Sequence, residues 1–354
     1  MLKRVALGVA ICTILLNQTV SVNAQDRKSA DASIDTMRTL PTISQNDQQR
    51  IRNWIALVVG ELASAPANER EKAGKTFRAT FLSQLNHSGN GQAFRSQFIT
   101  QTAAVAAAHF ADSNDDPTVS MWLARVLLDM NAPESVAGLI AGLTSKVDAT
   151  RYLCARGLIL QQRAISPDNA QLPKVIKALR DAGVVETSPI VLSRIYRALA
   201  FPGQAAAVLD SYLKILDRRL SDRRALNTAD GAEIEAFLYF SDAGTFNALN
   251  PAQKTQLIGR IAVFFRLDAA RFNNPGLGFV EIDTLERLLV EEEAIFKIAT
   301  NAKDGGDIAR MLDQQGRFAM DQIPAEAAKW VGNAEAKSKG VLNAAPWNVP
   351  VGAP

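Results

Sequence analysis

The spacing of apolar residues restricts this chain more than any other feature. From Ser44 almost to the C-terminal end they recur every three or four positions, the period of one face of an α-helix. Val, Ile, Thr and Tyr never alternate with polar residues over a useful length, and Ala and Leu dominate. An all-α fold is therefore expected. Behind a plausible N-cap at Ser44 come Ile51, Trp54, Ile55, Val58, Val59 and Leu62. Residues 68–85 carry Phe77, Phe81, Leu82 and Leu85 at helical spacing. After the Asn-His-Ser-Gly-Asn-Gly breaker at 86–91, an Ala-rich helix carries Phe94, Phe98, Val105 and Phe110.

The middle of the chain is punctuated more closely. Asp116-Pro117 opens a helix with Trp122, Leu123, Val126 and Leu127. Asn131-Ala132-Pro133 ends it and begins its partner, with Val136, Leu139, Ile140 and Leu143. Asp148 opens a second pair, with Leu153, Cys154, Gly157, Leu158 and Leu160 on the first helix and Val175, Ile176 and Leu179 on the second. Ser188-Pro189 opens a third, with Ile190, Leu192, Ile195 and Leu199. Phe201-Pro202-Gly203 separates it from a helix carrying Ala206, Leu209, Leu213, Leu216 and Leu220. Proline suits a first helical position because its missing N–H would have had no intrahelical acceptor. The starts at Asp116, Asp148 and Ser188 lie 32 and 40 residues apart. A pair of this size exposes too much apolar surface to stand alone and has to stack on its neighbours.

The segments Asp-Asp-Pro-Thr-Val-Ser-Met-Trp-Leu-Ala (115–124) and Asp-Ala-Thr-Arg-Tyr-Leu-Cys-Ala-Arg-Gly-Leu (148–158) resemble HEAT-type helical repeats. Asp148, Arg151 and Ala155 match that family's first-helix Asp, its following Arg and its small packed residue. The unit at Asp116 lacks the Arg and the unit at Ser188 lacks the Asp. The resemblance covers about residues 112–220. It implies an irregular α-α superhelix of stacked antiparallel helix pairs, a HEAT-like solenoid, whose surface binds other proteins.

Residues 1–24 read as a cleaved secretory signal peptide. Lys3 and Arg4 precede an apolar run of about 12 residues, shorter than the roughly 20 a membrane span needs, and Val22-Asn23-Ala24 offers a cleavage site. An exported protein, periplasmic or extracellular, with no transmembrane segment after cleavage, is expected. Residues 25–43 then form a flexible lead-in, 44–325 one α-helical repeat domain, and 326–354 an extended tail that Trp347 would dock. With the leader gone the net charge falls from +3 to +1, because Lys3 and Arg4 leave with it. A near-neutral exported chain is a poor nucleic-acid binder. Cys154 then stands alone, so no internal disulfide forms, and it reads as an inert core thiol.

Signals for chemistry are sparse. Asp112, Asn114 and Asp116 alternate like the first ligands of a calcium loop, but Pro117 stands where that loop needs Gly and Leu123 where it needs a bidentate Glu. His87 and His109 form no local zinc motif, and neither can be placed in a Ser/His/Asp arrangement. Glu134-Ser135 matches the acid-serine pair of lytic transglycosylases without their accompanying motif, and reads as a first-turn acid. The 273–278 loop has glycines but no preceding strand to make a phosphate cradle. Glu291, Glu292 and Glu293 read as the wet face of a helix. No cofactor is expected. Four arginines within seven residues, Arg218, Arg219, Arg223 and Arg224, form a candidate patch for an anionic partner, set against a solvated helix end balanced by Asp217 and Asp222. The expected function is a non-catalytic protein-binding scaffold; the alternative is an enzyme acting on a cell-surface polymer such as peptidoglycan. Acidic side chains gathered in one deep cleft would mark the enzyme, and an apolar-lined groove the scaffold.

Overall fold

The computed structural model describes residues 24–112, 116–165, 170–226, 230–272, 276, 278–301, 305–315 and 320–351. The leader (apart from its last residue), Asn114 and most of the 273–278 loop lie outside the described residues, as does the side chain of Arg224. Among the described residues there are sixteen α-helices and no strand, only an isolated antiparallel bridge between Asn333 and Ser338. The chain divides into two compact units, Met1–Gly157 and Leu158–Pro354, where the sequence reads as one repeat domain over 44–325. The division falls inside a helix that begins at Asp148, so no linker marks it.

The first unit contains α1 (Ala24–Asp35), α2 (Gln45–Ala63), α3 (Arg70–Leu85), α4 (Gln92–Ala111), α5 (Pro117–Met130), a 3₁₀ turn (Pro133–Ser135), α6 (Val136–Gly142) and the start of α7 (Asp148–Gln161). Helices here pack on next-but-one neighbours as well as adjacent ones: α2 on α4, α3 on α5, and α4 on α6. Stacked pairs produce this pattern, with α3 and α5 in one layer and α2, α4 and α6 in the other. Helix ends follow from local chemistry. The Ser44 hydroxyl accepts from the Asp47 N–H at 3.2 Å, and the Asp47 carboxylate accepts from the Ser44 N–H at 3.2 Å, a reciprocal cap. Asp116 caps α5 through the Thr118 N–H (2.8 Å) and pairs with Arg70 (2.9 Å), which accounts for this acid without calcium. Asn131 stops α5 in the left-handed conformation, φ 42°.

Residues 25–43 are not a flexible lead-in: α1 packs on α2, and Ile34 and Met37 are buried. The polar composition hides this because its charged groups have specific partners. Arg27 donates to Glu61 (2.8 Å) and lies over the Trp54 ring, while Asp31 accepts from the Trp54 indole N–H (2.7 Å). Arg38, itself buried, donates to the Asn90 side chain at 2.7 Å. Trp54 in turn meets Phe81 and Phe98 with ring centroids 5.3 and 5.6 Å apart, so the segment closes one end of an aromatic core.

The second unit completes α7 and adds α8 (Leu172–Val185), α9 (Pro189–Leu199), α10 (Ala205–Leu226), α11 (Ile234–Phe240), α12 (Ala243–Asn247), α13 (Pro251–Arg271), α14 (Phe279–Thr300), α15 (Ile308–Gln315), α16 (Ile323–Val331) and a 3₁₀ turn (Val341–Asn343). Again α8 packs on α10 and α9 on α11, after which α10 packs on α13 and α11 on α14. The tail is not extended. Trp330, Leu342 and Val349 are buried, and the Asn343 side chain bonds the Val331 and Val349 carbonyls at 3.2 and 2.7 Å. Trp347 is only half-buried; docking belongs to the other three apolar residues.

Close helix approach is visible at Gly142, where a Cβ would lie 2.2 Å from the Cys154 sulfur and 3.1 Å from Phe110. Cys154 is fully buried, and desolvation pushes its thiol pKa far upward, so the reactive thiolate is suppressed. Two outcomes follow. Gly142→Ala should lower stability by roughly 1–3 kcal/mol in urea unfolding, the usual cost of overpacking. In the native protein Cys154 should resist a thiol-specific reagent that labels it fully in denaturant.

Candidate functional site

The arginine tetrad is sorted by helical phase. Arg219 and Arg223 are four residues apart on α10 and share its inward face. Arg219 Nε donates to Glu233 Oε1 at 2.6 Å, and its Nη2 donates to both Asp230 oxygens at 2.7 Å. Arg223 is almost wholly buried. Its Nη1 donates to both Asp268 oxygens at 2.6 Å, its Nη2 to Glu233 Oε2 at 2.8 Å, and its guanidinium faces the Phe264 ring. These two residues therefore form no surface patch; their charge is spent inside the second unit. Arg218 points outward and pairs with Asp222.

Glu292 and Glu293 are fully buried, not wet. The Glu293 carboxylate accepts from the Ile308 and Ala309 N–H groups (2.9 and 3.2 Å) and from the Trp330 indole (2.9 Å), so it caps α15 and anchors the tail at once. Glu292 has neither oxygen hydrogen-bonded. The cation that acts on it, Arg223, is already paired with Asp268 and Glu233. Burial pushes the Glu292 pKa well up, Asp268 and Glu233 add to that, and Arg223 opposes it. Burial also pushes Asp268 up, opposed by Arg223 and Arg271. Here is the acidic cluster that would mark an enzyme, but Glu233, Asp268, Glu292 and Glu293 are sealed from solvent. Glu134 sits half-buried in the 3₁₀ turn. Among the described residues no group of three or more His, Cys, Asp or Glu side chains is placed to hold a metal ion.

The first unit carries an open cleft of about 470 Å³ between α3, α5 and α7. Lys75 and Arg78 line it from α3, Met121, Trp122 and Arg125 from α5, and Ala149, Tyr152 and Leu153 from α7. Spacings of three and four, from Lys75 to Arg78, from Met121 and Trp122 to Arg125, and from Ala149 to Tyr152 and Leu153, place them along one side of each helix. The floor is set by Trp122, whose indole N–H presses on α3 at Gly74 and makes no hydrogen bond. A Cβ on Gly74 would lie 1.9 Å from that nitrogen. Glycine inside a helix costs about 1 kcal/mol relative to alanine, and here it makes room for the ring.

The cleft wall is basic and ordered. One oxygen of Asp129 accepts from the Nε of both Arg78 and Arg125, the latter at 3.2 Å. The bond to Asp129 holds Arg78 still more firmly protonated than usual. Each guanidinium has five N–H donors, and neither makes another hydrogen bond or ion pair among the described residues. The side chains are 39% and 38% exposed, so their terminal nitrogens face solvent while their orientation is held from behind. Lys75 pairs with Glu71 on open surface, where such a pair is worth little.

Sequence reading places Trp122 and Leu153 on apolar helix faces and misses Lys75, Arg78 and Arg125. No linear signal joins them, since the three helices converge only through stacking. The one available hint is Gly74, an interior glycine in a strong helical pattern.

The buried cluster yields two expected outcomes. Arg223→Met should cost roughly 3–5 kcal/mol in denaturant unfolding, because buried Asp268 loses both guanidinium hydrogen bonds and Glu233 is left with Arg219 alone. Glu292→Gln should behave oppositely with pH. An exposed carboxyl of this kind titrates near 4.5, and burial raises the folded carboxyl well above that. The contribution of Glu292 is therefore full below that pH and declines as pH rises toward the folded value. The glutamine lacks that decline, so its urea midpoint should gain on the native chain's as pH rises above about 5. As for known proteins, no family model, curated protein or solved structure matches the chain.

Proposed function

We propose that this chain is an exported, non-catalytic protein of stacked helix pairs, HEAT-like in design, that binds a segment of another protein as a scaffold. The observation that carries this reading is the cleft between α3, α5 and α7. It combines an apolar floor with half-exposed, pre-oriented cations, as a recognition surface requires. Rigid helices support every lining residue, so little ordering entropy opposes binding. The acids with the most perturbed surroundings, by contrast, have no path to a substrate. Among the described residues no helix is long and apolar enough to cross a membrane.

The test is site-specific photo-crosslinking in cells that express the full chain. A photoreactive residue replacing Tyr152 should give a discrete protein adduct in the envelope or secreted fraction, and one replacing Asn53, exposed on α2 in the other layer, should not. Arg78→Glu should abolish the Tyr152 adduct. The reading fails if position 152 yields no protein adduct, or if the purified chain releases fragments from isolated cell-wall polymer.

A further inference from the structure

We infer that the cleft takes an acidic peptide segment, with a carboxylate side chain held by Arg78 and Arg125 and an adjacent aromatic or large apolar side chain laid on Trp122, Met121 and Tyr152. The inference rests on the cleft being the protein-binding site and adds the chemistry of the partner. Its starting point is Asp129. A single carboxylate oxygen between two Nε atoms holds both guanidinium groups from behind and leaves the Nη donors of each, a planar fork, without a partner among the described residues. Such forks match planar, two-oxygen acceptors, which carboxylates are.

Charge sets the direction. Lys75, Arg78 and Arg125 face Glu71 and Asp129, so the wall keeps a net positive excess, and a partner of opposite sign is steered toward it. The excess is small and Asp129 lies just behind the fork, which suits a monoanionic carboxylate better than a dianionic phosphate. The apolar part is equally restrictive. Met121, Trp122, Tyr152 and Leu153 make a short floor, and the volume holds about two or three side chains. An aromatic ring offered to that floor gains apolar burial, ring contact with Trp122 and a sulfur contact with Met121.

The test is selection of a random heptapeptide display library on the full chain, followed by affinity measurement with a synthetic consensus peptide. Enrichment should favour Asp or Glu beside Phe, Tyr, Trp or Leu. Arg78→Gln and Arg125→Gln should each weaken the consensus peptide roughly tenfold, with Arg78→Lys between, and added salt should weaken it further. Asp129→Asn makes the wall more positive, yet it should also weaken binding, because Asp129 is a positioning residue for the fork; tighter binding would overturn the clamp. The inference is also overturned if basic or neutral peptides are selected, or if the glutamine variants bind as tightly as the native chain. Binding of phosphatidylglycerol vesicles or inorganic phosphate through the same arginines, without acidic peptides, would overturn it in favour of a headgroup or free phosphate. Selection of non-acidic peptides at the cleft overturns only the chemistry. Absence of any selected peptide, together with no adduct from position 152, overturns the protein-binding reading itself.

Discussion

Packing between next-but-one helices is the constraint on which everything else depends. A helix that meets only its hairpin partner needs one apolar stripe. A helix that also meets the same-layer helix of the next pair needs a second, and only one edge then stays wet. In the first unit α4 packs on α2, α5 and α6, and α3 packs on α2 and α5. The approach is close enough that Gly74 and Gly142 leave no space for a methyl group. Helices held this firmly from two sides make a rigid platform, and the wet edges of α3, α5 and α7 form the cleft.

The same constraint decides what a charge is for. In a helix with two dry faces, a charged residue at the wrong phase is carried inside and has to be neutralised there. Arg219 and Arg223 are so carried, and Glu233, Asp230 and Asp268 meet them. Pairs of this kind add little net stability over apolar residues of the same size, but removing one member is costly. They tie α10 to α13 and to the start of α11, which is a matter of register rather than ligand binding. Arg78 and Arg125 differ from them in exposure, not in chemistry. Backed by one acid and open to water, they keep most of their hydrogen-bonding capacity for a partner.

Glu292 and Glu293 make the point at adjacent positions of one helix. Each is buried, yet Glu293 satisfies the N-terminus of α15, the Trp330 indole and Lys297, while Glu292 meets no donor at all. Burial without a donor pushes the pKa of Glu292 well up, whereas the oxygens of Glu293 are met by donors from three other groups. Three consecutive glutamates look alike on paper; the surroundings of each side chain decide its role.

How much was legible in the chain alone follows from the range of the interactions involved. Helix type and most boundaries rest on contacts within four residues and on caps, so Ser44, Asp116 with Pro117, and Asn131 announced themselves. The burial of Trp54, Phe77, Phe81, Phe94 and Phe98 was readable from their spacing, because a period of 3.6 places them on one face. Partners distant in sequence were not readable. Arg27 with Glu61, Arg223 with Asp268, Glu293 with Trp330, and Arg78 with Asp129 are separated by 34, 45, 37 and 51 residues. A polar residue carries no mark of whether a distant helix will bring it a counter-charge or leave it in water. Local periodicity thus determined an all-helical stack, and only tertiary packing decided which arginines were buried as structural cement and which stayed open to water.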